Sequence, residues 1–171
     1  MALKIIKESD PVCVTQISVC LHGGPGTGKT TFAASFPDAI VIDLEDGTSH
    51  LDCTRYKPAT YEEFIEFLQG PEVRQYKTLV IDSLDVLESM MHTHLCKQNN
   101  WASIESPGFG KGITRALEVW DTLLNQYNGL LHKLNRTHGI TIVMVSHTMP
   151  TNQSNPSGED YLIHGLTINK K

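Results

Sequence analysis

Four apolar runs of strand length alternate along the chain with stretches of helical period. The runs are residues 17–21, 39–43, 78–82 and 140–145. The last, Ile-Thr-Ile-Val-Met-Val, is almost wholly apolar, as in a strand covered on both faces. After the first run come the glycines 23, 24, 26 and 28, then a short helix over 29–35 that Pro37 ends. Thr60 and Glu63 have capping-box spacing, and Phe64, Ile65, Phe67 and Leu68 give that helix its apolar side as far as residue 69. A helix over 84–97 follows the third run. Ile113, Leu117, Trp120, Leu124, Tyr127, Leu131 and Leu134 step by three and four, which predicts one long amphipathic helix over 113–134 with this stripe in the core. Residues 98–112 and 149–160 read as loops, and 161–168 as a further strand. The alternation predicts an α/β domain with a mostly parallel central sheet.

At 171 residues the chain is one domain's worth, and its closing strands look short or missing. Hydrophobic residues at 40% and charged residues at 19% provide for a packed core. The net charge of −5 supplies no global field for nucleic acid, so any such binding needs a local patch. Cys13, Cys20, Cys53 and Cys96 form no C-x-x-C pair and read as reduced thiols in a cytoplasmic setting. No apolar run approaches the roughly 18 residues of a membrane span. A disulfide scaffold, a spanning protein and a histone-like binder are thereby excluded.

Gly23, Gly24, Pro25, Gly26, Thr27, Gly28, Lys29 and Thr30 fit G-x-x-x-x-G-K-[ST], with Thr31 next in line. Glycines let the main chain wrap phosphate oxygens with its N–H groups. Lys29 is a compact cation for the β- and γ-phosphates, and the Thr30 hydroxyl is a hard ligand for Mg²⁺. A metal-bound triphosphate also needs a carboxylate at a buried strand end, and Asp82 stands there. Ser83, not glutamate, follows it. The base that activates water is then sought on the neighbouring strand, where Glu45 is the candidate and Asp43 and Asp46 compete. His147 ends the fourth strand, which this topology puts between the phosphate-loop strand and the Asp82 strand. It either faces the γ-phosphate or makes only a local hydrogen bond.

Taken together, 23–30, 41–45, 79–83 and 145–147 resemble the RecA-like recombination ATPases, closest to small phage-encoded nucleotide-binding proteins that act in single-strand annealing and recombination. RecA itself carries glutamine where His147 stands. The resemblance implies a RecA-like P-loop NTPase fold with helices on both sheet faces and Mg²⁺-dependent ATP hydrolysis. Lys29 and Thr30 become phosphate and metal contacts, Asp82 the metal-side carboxylate, Glu45 the catalytic base and His147 the reporter of phosphate loss. It also implies further copies of the chain, a recombination partner protein, and a bacterial host cytoplasm. Segments 98–112 and 148–165 occupy the places of the family's DNA loops. The first holds Trp101, Phe109 and Lys111, with Arg115 at its edge, an aromatic-plus-cation set suited to single-stranded DNA unless Trp101 packs inward. The second has Glu159 and Asp160 and no lysine or arginine before Lys170.

Weaker signals remain. Tyr56 and Tyr61 are candidates to stack on adenine. His92, His94 and Cys96 form H-x-H-x-C, but on a helix His94 points away from the other two, a poor arrangement for tetrahedral zinc. Arg74, Arg115 and Arg136 are candidate arginine fingers if supplied by a neighbouring subunit. A small-molecule kinase and a nucleotide-gated adaptor with negligible hydrolysis are the rival functions.

Overall fold

The computed structural model describes residues 17–166 apart from 157 and 160. Cys13, Lys170 and the end of the predicted strand over 161–168 lie outside them. The strands β1 (Ser18–Gly23), β2 (Ala39–Asp43), β3 (Thr54–Tyr56), β4 (Thr78–Asp82) and β5 (Thr141–Gln153) form a parallel sheet in the order β1-β5-β4-β2-β3. The helices are α1 (Lys29–Ala34), α2 (Tyr61–Gln69), α3 (Leu84–Asn99), α4 (Lys111–Leu124) and α5 (Leu130–His138). The fold is the predicted α/β architecture, with β5 between β1 and β4.

Side-chain alternation along the strands divides the core in two. Ile40, Ile42, Leu79, Ile81 and Ile142 lie in one buried cluster with residues of α2, α3, α4 and α5, including Phe64, Leu87 and Trp120. Val41, Val80, Val143 and Val145 point the other way and pack with Ala33 of α1. The broad face takes bulky Ile and Leu under four helices, whereas the valine face has room for one short helix. Since Asp82 is two residues beyond Val80, it leaves the sheet on the α1 side. That parity places its carboxylate beside the start of α1.

The predicted cap at Thr60 forms, with the Glu63 carboxylate reaching one residue further back than the N-cap N–H. Thr60 Oγ1 accepts from the Glu63 N–H at 3.2 Å, and Glu63 Oε2 accepts from the Ala59 N–H at 2.7 Å.

Three local expectations are corrected. The stretch 113–134 is two helices, because Asn125 Oδ1 accepts from the N–H groups of Tyr127 and Asn128 and turns the chain. Gly129 then passes so close to Asn125 that a Cβ there would lie 2.5 Å from its backbone nitrogen. The apolar stripe is not all core: Trp120, Leu131 and Leu134 are buried, whereas Leu117, Leu124 and Tyr127 face solvent. Residues 149–153 are not loop but the outer half of β5, which pairs antiparallel with β6 (Tyr161–Leu166) to form a hairpin past the parallel sheet. The short β3 and a 3₁₀ turn at Glu72–Gln75 were not visible as sequence patterns.

Asn135 links these elements at the lower edge of the sheet. It is buried, and its Nδ2 donates to Ile17 O at 3.1 Å and Ile140 O at 2.8 Å. Removing the amide strands the Ile140 carbonyl, at a cost of about 1–3 kcal/mol, whereas Ile17 O keeps the Ile142 N–H at 3.0 Å. Asn135→Ala is expected to lower the urea midpoint by that amount without altering the slope. An unchanged midpoint would show that water replaces the amide freely.

Candidate functional site

The upper edge of the sheet, where β1, β2 and β4 end and β5 runs on toward the hairpin, opens into a cleft of about 370 Å³. Pro25, Gly26, Thr27, Gly28, Lys29, Thr30 and Thr31 form one wall, and Glu45, Gly47, His50, Asp82, Val145 and His147 form the others. The glycine loop curves between β1 and α1 with φ +74° at Gly26 and +80° at Gly28, a region that strains L side chains. Space beside both is open. Lys29 Nζ donates to Gly23 O at 3.0 Å and Gly24 O at 2.9 Å, which steadies the ammonium over the loop and leaves its third donor free for a ligand.

Thr30 Oγ1 donates to Asp82 Oδ2 at 2.5 Å. Burial pushes the Asp82 carboxyl above its ordinary value. The charges of Glu45 and Asp43 add to this, while the Thr30 hydrogen bond and His147 oppose it. A hydroxyl and a carboxylate converge here among excess negative charge. That donor set suits a hard divalent cation, and Thr30 with Asp82 would hold Mg²⁺.

The acidic residues after β2 separate by their partners. Asp43 accepts from the Gly47 N–H at 3.0 Å, the Thr48 N–H at 3.1 Å and Thr48 Oγ1 at 2.5 Å. Burial works against its charge, but these hydrogen bonds outweigh burial and hold the carboxyl below its ordinary value. Asp43 is thus spent on shaping the turn. Asp46 points outward to Lys57 at 2.8 Å. Glu45 faces the cleft, where its Oε1 accepts from Ser83 Oγ and lies 3.4 Å from His147 Nδ1. The His147 N–H donates to Asp85 Oδ2 at 2.8 Å.

Other candidates are not brought to the cleft. Tyr56 stacks on Phe67 with ring centroids 4.4 Å apart, and Tyr61 is buried between Phe64 and His94, so neither is placed for adenine. Burial pushes the Tyr61 hydroxyl up to about 12. A larger hollow of about 520 Å³ between α2 and α3 is lined by Tyr61, Glu62, Glu66 and His94, and its carboxylates are ill suited to phosphate. His94 Nδ1 meets Glu62 there at 2.8 Å, and His92, His94 and Cys96 do not converge as a metal set. Among the described residues no arginine lines the cleft, and Arg115 is paired with Glu118.

The loop 100–110 lies at the far end of α3, roughly 24 Å along that helix from the cleft. Phe109 stands fully exposed, Trp101 is half-buried and Lys111 is exposed. The sequence did not mark Gly47 and His50 as lining the cleft, nor Ser83 and Asp85 as the residues that contact Glu45 and His147. Only Asp85, in the first turn of α3, carried a signal, through its spacing of three from Asp82.

The raised Asp82 value has a sign. An acid whose folded pKa exceeds its unfolded one favours folding at low pH and loses that contribution as pH climbs from about 4 through the folded value. Above the folded value the nucleotide-free protein bears the full penalty. Asp82→Asn is expected to raise its stability there by about 0.5–2 kcal/mol, flatten that stretch of the stability–pH curve, and abolish Mg²⁺-dependent nucleotide binding. Equal stability of the two proteins across the range would refute the assigned cause.

No curated protein matches the sequence. A family model described as an AAA domain matches residues 15–171, taking in the phosphate loop, both strand-end carboxylates, His147 and the hairpin. A glycine loop with its lysine and threonine at the head of a parallel α/β sheet is the nucleotide-binding arrangement of a P-loop NTPase, and the chain belongs to the AAA domain family.

Proposed function

We propose that the protein is a Mg²⁺-dependent ATPase in which Glu45 deprotonates the attacking water and His147 reports loss of the γ-phosphate. One observation carries the reading: Glu45, oriented by Ser83, stands with His147 across the cleft from Lys29 and Thr30. The loop amides and Lys29 would grip the phosphates. Thr30 and Asp82 would hold the metal, which when bound neutralises charge on the phosphate oxygens. Glu45 Oε1 is occupied by Ser83, leaving the other oxygen to take the proton as water oxygen bonds to phosphorus and the bridging P–O bond breaks.

The activity we infer is coupled to single-stranded DNA, in recombination or annealing. Support comes from the RecA-like sequence resemblance and from Phe109, wholly exposed two residues before Lys111. Phe109 supplies a stacking face and Lys111 a phosphate contact. Arg115 contributes less, since Glu118 already engages it. By the same resemblance the chain works with further copies of itself and a recombination partner protein.

Phosphate release measured with and without single-stranded DNA tests the scheme. Lys29→Ala is expected to lose ATP binding. Glu45→Gln is expected to bind ATP normally and lose about 10²–10⁴ in kcat. An unchanged rate for Glu45→Gln would end its role as base, and ATP binding without turnover would favour the nucleotide-gated adaptor.

A separate titration tests the DNA surface. Phe109→Ala should weaken single-strand affinity by about 1–3 kcal/mol, and Lys111→Ala should lessen its salt dependence. If neither moves affinity, DNA does not use this loop.

A further inference from the structure

His147 is held by more than its place on β5. Its backbone N–H donates to Asp85 Oδ2, and its Nδ1 lies 3.3 Å from that same oxygen and 3.4 Å from Glu45 Oε1. Asp82 on β4 adds a third negative group near the ring. A neutral imidazole has one N–H, and it settles on the nitrogen that faces acceptors. The Nδ1–H tautomer suits these neighbours and leaves Nε2 as an acceptor. Among the described residues Nε2 has no hydrogen-bonding partner, and His147 lines the cleft.

We propose that Asp85 is a positioning residue, fixing His147 in the Nδ1–H tautomer so that Nε2 accepts one hydrogen of the attacking water while Glu45 accepts the other. This rests on the reading of the cleft as a hydrolytic site. A water with both hydrogens engaged has its lone pairs free, and one can be aimed at phosphorus. The proton released as the O–P bond forms goes to Glu45, and His147 Nε2 only orients. Asp85 is placed for this task, since one of its oxygens lies beside both the main-chain N–H and the ring of His147. Among the described residues its Oδ1 is buried with no partner, an arrangement that costs stability and that starting a helix does not require.

Long-range ¹H–¹⁵N spectra of the histidine-labelled, nucleotide-free full chain, at a pH where neutral imidazole dominates, read the tautomer directly. Wild type is expected to show His147 protonated on Nδ1, and Asp85→Asn a mixture or the Nε2–H form. In steady-state hydrolysis Asp85→Asn should lose about tenfold or more in kcat, with KM for ATP within about twofold, since the phosphate loop is untouched. An Nε2–H tautomer in wild type overturns the proposal, as does an Asp85→Asn protein with wild-type tautomer and kcat. If the variant fails to fold, the wild-type spectrum alone decides. If wild type shows Nδ1–H yet hydrolyses no ATP, the hydrolytic reading has failed and takes the water assignment with it, while the Asp85–His147 contact stands.

Discussion

Four carboxylates crowd one edge of the sheet, and each is held in place by a different donor. Asp43 takes the Thr48 hydroxyl and two turn amides, Glu45 the Ser83 hydroxyl, Asp82 the Thr30 hydroxyl, and Asp85 the His147 amide. Like charges this close raise one another's cost, and burial raises it further. Neutral hydroxyl and amide donors orient the oxygens without cancelling their charge. The edge is left electrically unfinished, with the Lys29 ammonium resting on loop carbonyls and no arginine lining the cleft among the described residues. A divalent cation beside Thr30 and Asp82 would offset part of that charge, while the loop amides and Lys29 offer the place for anionic phosphates.

That arrangement follows from strand parity. Valines on one face of β2, β4 and β5 leave space for α1, and the same parity turns Asp82 toward Thr30. Isoleucine and leucine on the other face build the thick layer of α2, α3, α4 and α5. The start of α3 comes from that second layer, yet Asp85 in its first turn reaches back over the sheet edge to His147. The cleft is thus bounded by elements of both layers, and a shift in either alters its shape.

Much of this was legible in the chain. The phosphate loop can be read from local types because its backbone conformation demands glycine at Gly26 and Gly28 whatever surrounds it. Asp82 is legible because an acid closing a buried strand, in a chain that also carries the phosphate loop, is the expected metal-side carboxylate. The choice of Glu45 over Asp43 depended on where the Thr48 amide lies, which no spacing encodes. Ser83 and Asp85 gained their roles only when β5 and the β2 turn came alongside. The long-helix reading failed because three-and-four spacing continues through Asn125 and Gly129, whereas the asparagine's turn and the glycine's close approach break the helix. Side-chain periodicity reports which face is apolar but not whether the axis is continuous.

Two elements leave the cleft, and they differ in how well they can carry a signal. α3 runs about 24 Å from Asp85 to the loop bearing Trp101 and Phe109. Its buried Leu87, Met91 and Leu95 anchor it in the main core, so it moves as a rod or not at all. β5 passes through His147 into a hairpin with exposed Met149, Leu162 and Ile163. A two-stranded hairpin is marginal by itself, and this one exposes apolar side chains on its described residues. A displacement of His147 would reach the hairpin directly along β5, whereas a displacement of α3 would have to carry its buried side chains with it.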